Sequence, residues 1–149
     1  MSTTLFDRPT LKAEYGNYIG GKFVAPVDGH YFDVTTPTDG TVITKVARSN
    51  SKDVELALDA AHAAYATWKH SSVTERSNML LKIADIVEAN HHKLAAIETL
   101  DNGKSIRETI NADVALVIDH FRYFAGVIRA EEGSVSELDQ HTVSMNIKE

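Results

Sequence analysis

The sequence contains no cysteine in its 149 residues. Disulfides, thiolate metal sites and thiol nucleophiles are therefore excluded within these residues. Positive charge is also scarce, because 15 Lys and Arg stand against 21 Asp and Glu and give a formal net charge of −6. Binding to nucleic-acid phosphates needs a basic face, so this balance argues against a nucleic-acid partner.

Long apolar runs are missing as well. No segment approaches the roughly 20 apolar residues that span a bilayer. The opening "MSTTLFDRPTLKAEYGNY" lacks the basic stretch and apolar core of a secretory signal. These absences predict no membrane partner and a cytoplasmic location. The apolar fraction of 43% and the charged fraction of 24% are those of a globular domain.

Two segment types alternate along the chain. Residues 1 to about 48 have the pattern of β-hairpins, with Gly20-Gly21 inside "YIGGKFV" (18–24) and a Pro37 to Gly40 turn inside residues 30–47. From about residue 50 the apolar period becomes helical. Helices are predicted from there, from a capping box at 72–75, over about 91–101, and from a second capping box at 105–108.

The apolar stripes predict which faces of these helices are buried. The stripe of the first helix is Val54, Leu58, Ala61, Tyr65 and Trp68, and that of the longest helix is Ile110, Val114, Val117, Phe121, Phe124 and Ile128. Aromatic side chains at helical spacing indicate core rather than a ligand pocket.

The last segment, "HTVSMNIKE" (141–149), alternates strictly between apolar and polar residues. This pattern predicts a half-buried strand. Its partner strand must come from earlier in the chain or from another chain, because an unpaired edge strand is unfavourable.

Two clusters are candidates for chemistry. In "EANHHK" (88–93), Glu88 shares a helix face with His91 or His92, but adjacent histidines point about 100° apart on a helix and cannot easily hold one ion. A solvated helix junction is therefore favoured over a metal site. In "ETLDNGK" (98–104), Asp101 and Gly103 fit a helix stop, yet a carboxylate there opposes the helix dipole, which a bound cation would offset.

A series of motifs occurs in order from about Tyr15: "YIGGKFV", "TPTDGTVITKVA", "DVELALDAAHAAYATW", "ERSNMLLKIADIVEAN", "KLAAIETLDNGKSIRET" and "DHFRYFAG". The series resembles the N-terminal quarter to third of NAD(P)-dependent aldehyde dehydrogenases, and most resembles bacterial acetaldehyde or short-chain aldehyde dehydrogenases. The resemblance implies an α/β fold. N-terminal β-hairpins followed by amphipathic helices (1–134) would form an incomplete coenzyme-binding domain. One strand (135–149) would begin the bridging domain, which pairs across subunits in dimers or tetramers.

The same resemblance implies the activity of the intact enzyme. Family members oxidise an aldehyde to a carboxylic acid: a cysteine thiolate attacks the carbonyl, hydride passes to NAD or NADP, and water activated by a glutamate hydrolyses the thioester. The nucleophile, the base and the coenzyme motif all lie downstream of the matched segment. No catalytic and no cofactor-binding residue is therefore assigned here, and a chain without cysteine cannot form the thiohemiacetal.

Four residues receive roles through the resemblance. Leu116 aligns with a position that lines the family's substrate tunnel. Asp101 matches the acidic residue that helps hold a structural monovalent cation (Na or K), with backbone oxygens from Val34 and Thr35. Thr36 stands before Pro37 where the family usually has Asn. The expected partners are the remainder of the same polypeptide and further copies of the intact enzyme.

Two functional hypotheses follow. In the first, the chain is an N-terminal fragment of an aldehyde dehydrogenase for a short aliphatic aldehyde and is inactive alone. In the second, it is a non-catalytic helical binding or assembly module derived from the same family, whose exposed helix stripe and terminal strand bind a partner chain.

Overall fold

A computed structural model of the protein describes residues 8–147. Residues 1–7 and 148–149 lie outside the described part. The predicted domain 1–134 includes the first of these ranges, and the predicted domain 135–149 and segment 141–149 include the second. The remaining residues form a mixed α/β structure of short strands and helices, as the fold prediction requires.

The strands make three small sheets. They are β1 (Glu14–Tyr15), β2 (Asn17–Ile19), β3 (Lys22–Val24), β4 (Tyr31–Thr35), β5 (Val42–Ala47), β6 (Ser134–Asp139) and β7 (Thr142–Asn146). Both predicted hairpins are confirmed, as β2–β3 and β4–β5. Gly20 and Gly21 have φ values of 60° and 80°, which a two-residue hairpin turn with positive φ at both positions requires. The two-residue β1, parallel to β5, is too short to leave a sequence pattern.

The helices begin close to the predicted positions, but the predicted longest helix from 105 is interrupted by a π turn. They are α1 (Ser51–Trp68), α2 (Val73–Ala89), α3 (His91–Asn102), the single turn α4 (Ile106–Glu108) and α5 (Val114–Ala130). Thr109–Asp113 joins α4 to α5 as a π turn, a wider helical turn with i→i+5 hydrogen bonds. At α2, the Ser72 hydroxyl accepts from the Glu75 amide and the Glu75 carboxylate accepts from the Ser72 amide, which confirms that capping box.

Small side chains make the core between α2, α3 and α5. Ala84 and Ala95 are fully buried and pack with Val114 and Ile118, which are each 7% exposed. Nearby, the Ser77 hydroxyl donates to the Ala125 carbonyl at 2.8 Å, so α2 and α5 approach closely at two small residues.

This close approach corrects the predicted stripe of the longest helix. Val114 is buried as predicted, but Val117 and Phe124 are 41% and 52% exposed, and Ile118 and Ala125 take the buried positions. Close contact with α2 needs small or well-fitting residues, whereas the stripe prediction gave weight to the largest apolar ones. Phe124 is therefore not a core residue within the described part of the chain.

The predicted buried stripe of α1 is wrong within residues 8–147. Its large apolar residues Val54, Leu58, Tyr65 and Trp68 are between 43% and 57% exposed, and Asp53 is the residue of α1 that is buried. The reason is that α1 contacts strand β2 near its first turn and Arg76 of α2 at its last residue, Trp68, and these contacts leave its large apolar residues about half exposed.

The terminal strand is also corrected. Strand β7 pairs antiparallel with β6, which directly precedes it, so its partner does come from earlier in the chain and the predicted single strand is a hairpin. The segment is not half-buried, because Val143, Met145 and Ile147 are 60%, 68% and 75% exposed. The predicted domain boundary at residues 134 and 135 falls at the first residue of this hairpin, and the assignment to a bridging domain stays a prediction.

Candidate functional site

The end of α3 touches the β4–β5 turn. Gly103 has a φ of 77°, the left-handed conformation predicted for the helix stop, and its amide donates to the Thr99 carbonyl. A Cβ atom at Gly103 would lie 2.7 Å from the Pro37 Cγ, so only glycine fits between the helix end and the turn. This contact brings "ETLDNGK" and "TPTDG" together.

The three residues of the predicted cation site lie on either side of this contact. Asp101 is exposed near the end of α3, and Val34 and Thr35 end β4 at a register shift in the β4–β5 ladder. A bulge of this kind disrupts the regular pairing of backbone groups. The structure therefore places the helix end and the strand end in one region, and the cation itself stays a prediction.

Thr36 closes the turn where the family usually has Asn. It is 1% exposed, its amide donates to the Thr41 carbonyl, and its carbonyl accepts from the Gly40 amide. The Thr36 hydroxyl also lies 3.4 Å from the Thr38 amide and hydroxyl. Threonine thus supports the chain reversal through its backbone, and the hairpin forms with this residue in place of Asn.

Lys104, the last residue of "ETLDNGK", pairs with a residue outside this segment. Its Nζ atom donates to Asp113 Oδ2 at 2.8 Å. This hydrogen bond, with the Asp113 charge, raises the pKa of Lys104. No sequence pattern indicates the pair, because Asp113 lies nine residues away, across the α3–α4 connection.

The three side chains of the histidine cluster have separate roles. Glu88 Oε2 accepts from Arg122 Nη2 at 2.7 Å, and this bond holds the pKa of the Glu88 carboxyl below its usual value. His91 Nε2 lies 2.7 Å from the Ile110 carbonyl oxygen. His92 is exposed and stacks on the His91 ring with centroids 5.8 Å apart. Glu88 and His91 thus serve helix packing, as the helix-junction interpretation expects.

An apolar groove of about 390 Å³ runs between α2 and α5. It is lined by Leu80, Val117, His120, Phe121 and Phe124. Leu116, the predicted tunnel residue, is 51% exposed on α5 next to this lining. The aromatic residues predicted to be core therefore divide: Phe121 is half-buried against the core cluster, and Phe124 lines the open groove.

Asp53 is an organising residue that sequence reasoning missed. It is 3% exposed, and its carboxylate accepts from the Asn50 amide at 2.9 Å, from the Val27 amide at 2.9 Å and from the Asn17 side chain at 3.2 Å. These bonds, the Asn50 one above all, lower the pKa of the Asp53 carboxyl. The signal that could have found it is an Asp three residues after Asn50, in a capping-box arrangement.

The sequence profile of the aldehyde dehydrogenase family matches residues 23–149. The chain belongs to the aldehyde dehydrogenase family. An acetaldehyde dehydrogenase of Pseudomonas aeruginosa is 57% identical over 94% of this chain, and a long-chain-aldehyde dehydrogenase of an Acinetobacter species is 57% identical over 93%. The chain spans 28% of the length of each relative.

The structural comparison agrees. A crystal structure of PnpE in complex with nicotinamide adenine dinucleotide is 38% identical and superposes with a TM-score of 0.83, over 88% of this chain and 27% of that one. The resemblance inferred from the motifs is thereby confirmed. Within the residues that the structure describes, no helix has the length and apolarity needed to cross a membrane.

Proposed function

We propose that this chain is the N-terminal part of an enzyme that oxidises a short aliphatic aldehyde, such as acetaldehyde, to its carboxylic acid with NAD. The observation that carries the proposal is the 57% identity to an acetaldehyde dehydrogenase over nearly the whole chain. The intact enzyme would act in the cytoplasm as a dimer or tetramer, with the β6–β7 hairpin available to extend a sheet across subunits.

In this enzyme the chain supplies structure rather than reacting groups. Its apolar groove on α2 and α5, together with Leu116, would form one wall of the aldehyde site, because apolar side chains select an alkyl substituent by contact. The nucleophilic cysteine and the base would come from the remainder of the polypeptide. NAD, when bound, would accept the hydride; this segment has no G-x-G-x-x-G turn, so the remainder would also hold the coenzyme phosphates.

The proposal is tested with the chain alone and with a hybrid enzyme. The hybrid enzyme joins residues 1–149 to the remainder of the Pseudomonas aeruginosa acetaldehyde dehydrogenase. With acetaldehyde and NAD, followed as NADH absorbance, the chain alone should give no product and the hybrid enzyme should turn over. Turnover by the isolated chain, or a folded hybrid enzyme that oxidises no aldehyde, would contradict the proposal.

We also infer that a monovalent cation binds between Asp101 and the backbone oxygens of Val34 and Thr35. The Gly103–Pro37 contact and the bulge at the end of β4 support this site, and a cation would offset the unfavourable placement of a carboxylate at a helix C-terminus. The melting temperature of the hybrid enzyme should be higher in sodium or potassium chloride than in choline chloride at equal ionic strength. Asp101→Asn should remove most of that difference, and an unchanged difference would contradict the site.

A non-catalytic assembly module is the second candidate. The observation in its favour is the large exposed apolar surface on α1, α5 and the β6–β7 hairpin within the described residues. The reading frame beyond codon 149 discriminates between the two. Continuation into a nucleotide-binding strand and a later cysteine supports the enzyme, whereas a stop codon with a folded, soluble product supports the module.

A further inference from the structure

The helix that follows "ETLDNGK" contains one residue more than a regular helix would hold. Across the π turn Thr109–Asp113, the Val114 amide donates to the Thr109 carbonyl, five residues back, rather than to Ile110, four residues back. One surplus residue rotates everything beyond it by about 100° relative to a continuous α-helix. The π turn therefore sets which face of α5 carries Leu116.

Three hydrogen bonds from α3 and its C-terminal loop hold this turn. His91 Nε2 lies 2.7 Å from the Ile110 carbonyl oxygen, and because a carbonyl can only accept, Nε2 must carry the proton. The Thr99 and Thr109 hydroxyls lie 2.9 Å apart, with Thr109 fully buried. The third bond is the Lys104–Asp113 pair already described. The turn is thus fixed at its start, its middle and its end.

We propose that His91 is a positioning residue for substrate selection. By holding the Ile110 carbonyl, it keeps the surplus residue inside the π turn and so fixes the face of α5 that lines the groove with Val117 and Phe121. This inference rests on the proposed function, because it requires that this groove receives an aldehyde. His91 does not line the groove, so it would act on selectivity only through the π turn.

The first residues of α5 are the part that the turn controls most. Val114, the first residue of α5, is 7% exposed in the core, and Val117 lines the groove one turn later, so the register set by the π turn fixes both positions. If the bond from His91 is lost, the π turn can relax toward α-helical pairing, which would shift the first turn of α5 and with it the groove residue Val117. A change at this wall alters the space for an alkyl chain, which is worth about 10-fold to 200-fold in selectivity per methylene.

The test uses the hybrid enzyme and unbranched aldehydes from two to eight carbons. In His91→Leu, the ratio of kcat/KM for octanal to that for acetaldehyde should change by about 10-fold or more, chiefly through KM for the longer aldehydes. His91→Gln, whose Nε2 can donate to the same carbonyl, should restore most of the parent ratio. His92→Leu is the matched control, since His92 is exposed and contacts the His91 ring rather than the Ile110 carbonyl, and its ratio should equal that of the parent.

A second probe covers the case in which His91→Leu does not fold. Thr99→Val keeps the shape of the side chain and removes its hydroxyl bond to Thr109, so it should move the selectivity ratio in the same direction. Amide hydrogen exchange at Asp113 and Val114 should accelerate in either variant and stay at the parent rate in His92→Leu. The exchange measurement needs no enzymatic activity. It tests directly whether the hydrogen bonds from His91 and Thr99 hold the π turn.

The outcomes separate the two proposals. A parent hybrid enzyme without aldehyde oxidation contradicts the proposed function, whatever the exchange data show. An active parent with the same selectivity ratio in His91→Leu and Thr99→Val contradicts the positioning role, even if both variants melt at lower temperature. Unchanged amide exchange at Asp113 and Val114 in both variants would contradict the claim that the bonds from His91 and Thr99 hold the π turn.

Discussion

Gly103→Ala should lower the free energy of unfolding of this chain by about 2 to 4 kcal/mol. Two costs add at this position. An L-residue in the left-handed conformation costs about 1 to 2 kcal/mol, and the new Cβ would meet the Pro37 Cγ at 2.7 Å, closer than atoms can pack. Urea denaturation followed by circular dichroism measures the change.

The chain contains a matched control and a way to separate the two costs. Gly126 lies inside α5 without a positive φ, and no atom beyond its chain neighbours and the adjacent backbone of α5 lies within 4 Å of the place that an added methyl group would occupy. Gly126→Ala should therefore stabilise the helix by about 0.5 to 1 kcal/mol.

A double variant separates the two costs. Combining Gly103→Ala with Pro37→Ala removes the steric clash and should leave only the cost of the left-handed conformation. A single Gly103→Ala within about 0.5 kcal/mol of the parent would contradict the contact between the helix end and the turn.

This contact explains why "ETLDNGK" is a structural signature. The sequence alone located Gly103 as a helix stop, since an Asn-Gly pair behind an apolar helix indicates a left-handed residue. It could not show that Pro37, 66 residues earlier, fills the space where a Cβ would be. Local chemistry of one residue is readable from a pattern, whereas a backbone-to-ring contact between distant segments depends on the whole fold.

The same division holds for the helices. The N-terminal caps at Ser72 and Ser105 were readable because each serine lies three residues before its glutamate partner. Both bonds of the predicted capping box form at Ser72, whereas at Ser105 the hydroxyl accepts from the Glu108 amide. The π turn was not, because "TINAD" has no distinguishing composition and its stability comes from His91 and Thr99 on another helix. The histidine cluster was considered as a metal site for the same reason. Sequence spacing placed Glu88 near His91, but it could not show that Glu88 binds Arg122 and that His91 binds the Ile110 carbonyl.

The predicted burial failed in one consistent direction. Large apolar residues on α1, α5 and β7 were assigned to buried or half-buried faces, and they are exposed within the described residues. An apolar stripe reports that a face is covered in the folded enzyme and does not report which segment covers it. These residues therefore mark where the proposed remainder of the enzyme would pack.

Two valines one turn apart on α5 test this interpretation. Val114 is 7% exposed and Val117 is 41% exposed. In the isolated chain, Val114→Ala should lower the free energy of unfolding by about 2 kcal/mol through lost burial and the cavity left behind. Val117→Ala should change it by less than about 0.5 kcal/mol, because its side chain already contacts solvent.

In the hybrid enzyme, Val114→Ala and Val117→Ala should lower stability by similar amounts. If the remainder of the polypeptide packs against the groove, Val117 loses its contact with water, and Val117→Ala should lower the temperature of half-inactivation nearly as much as Val114→Ala does. The isolated chain serves as the reference for each substitution. A Val117→Ala effect that stays negligible in the active hybrid enzyme would contradict the interpretation that the remainder of the polypeptide packs against this face of α5.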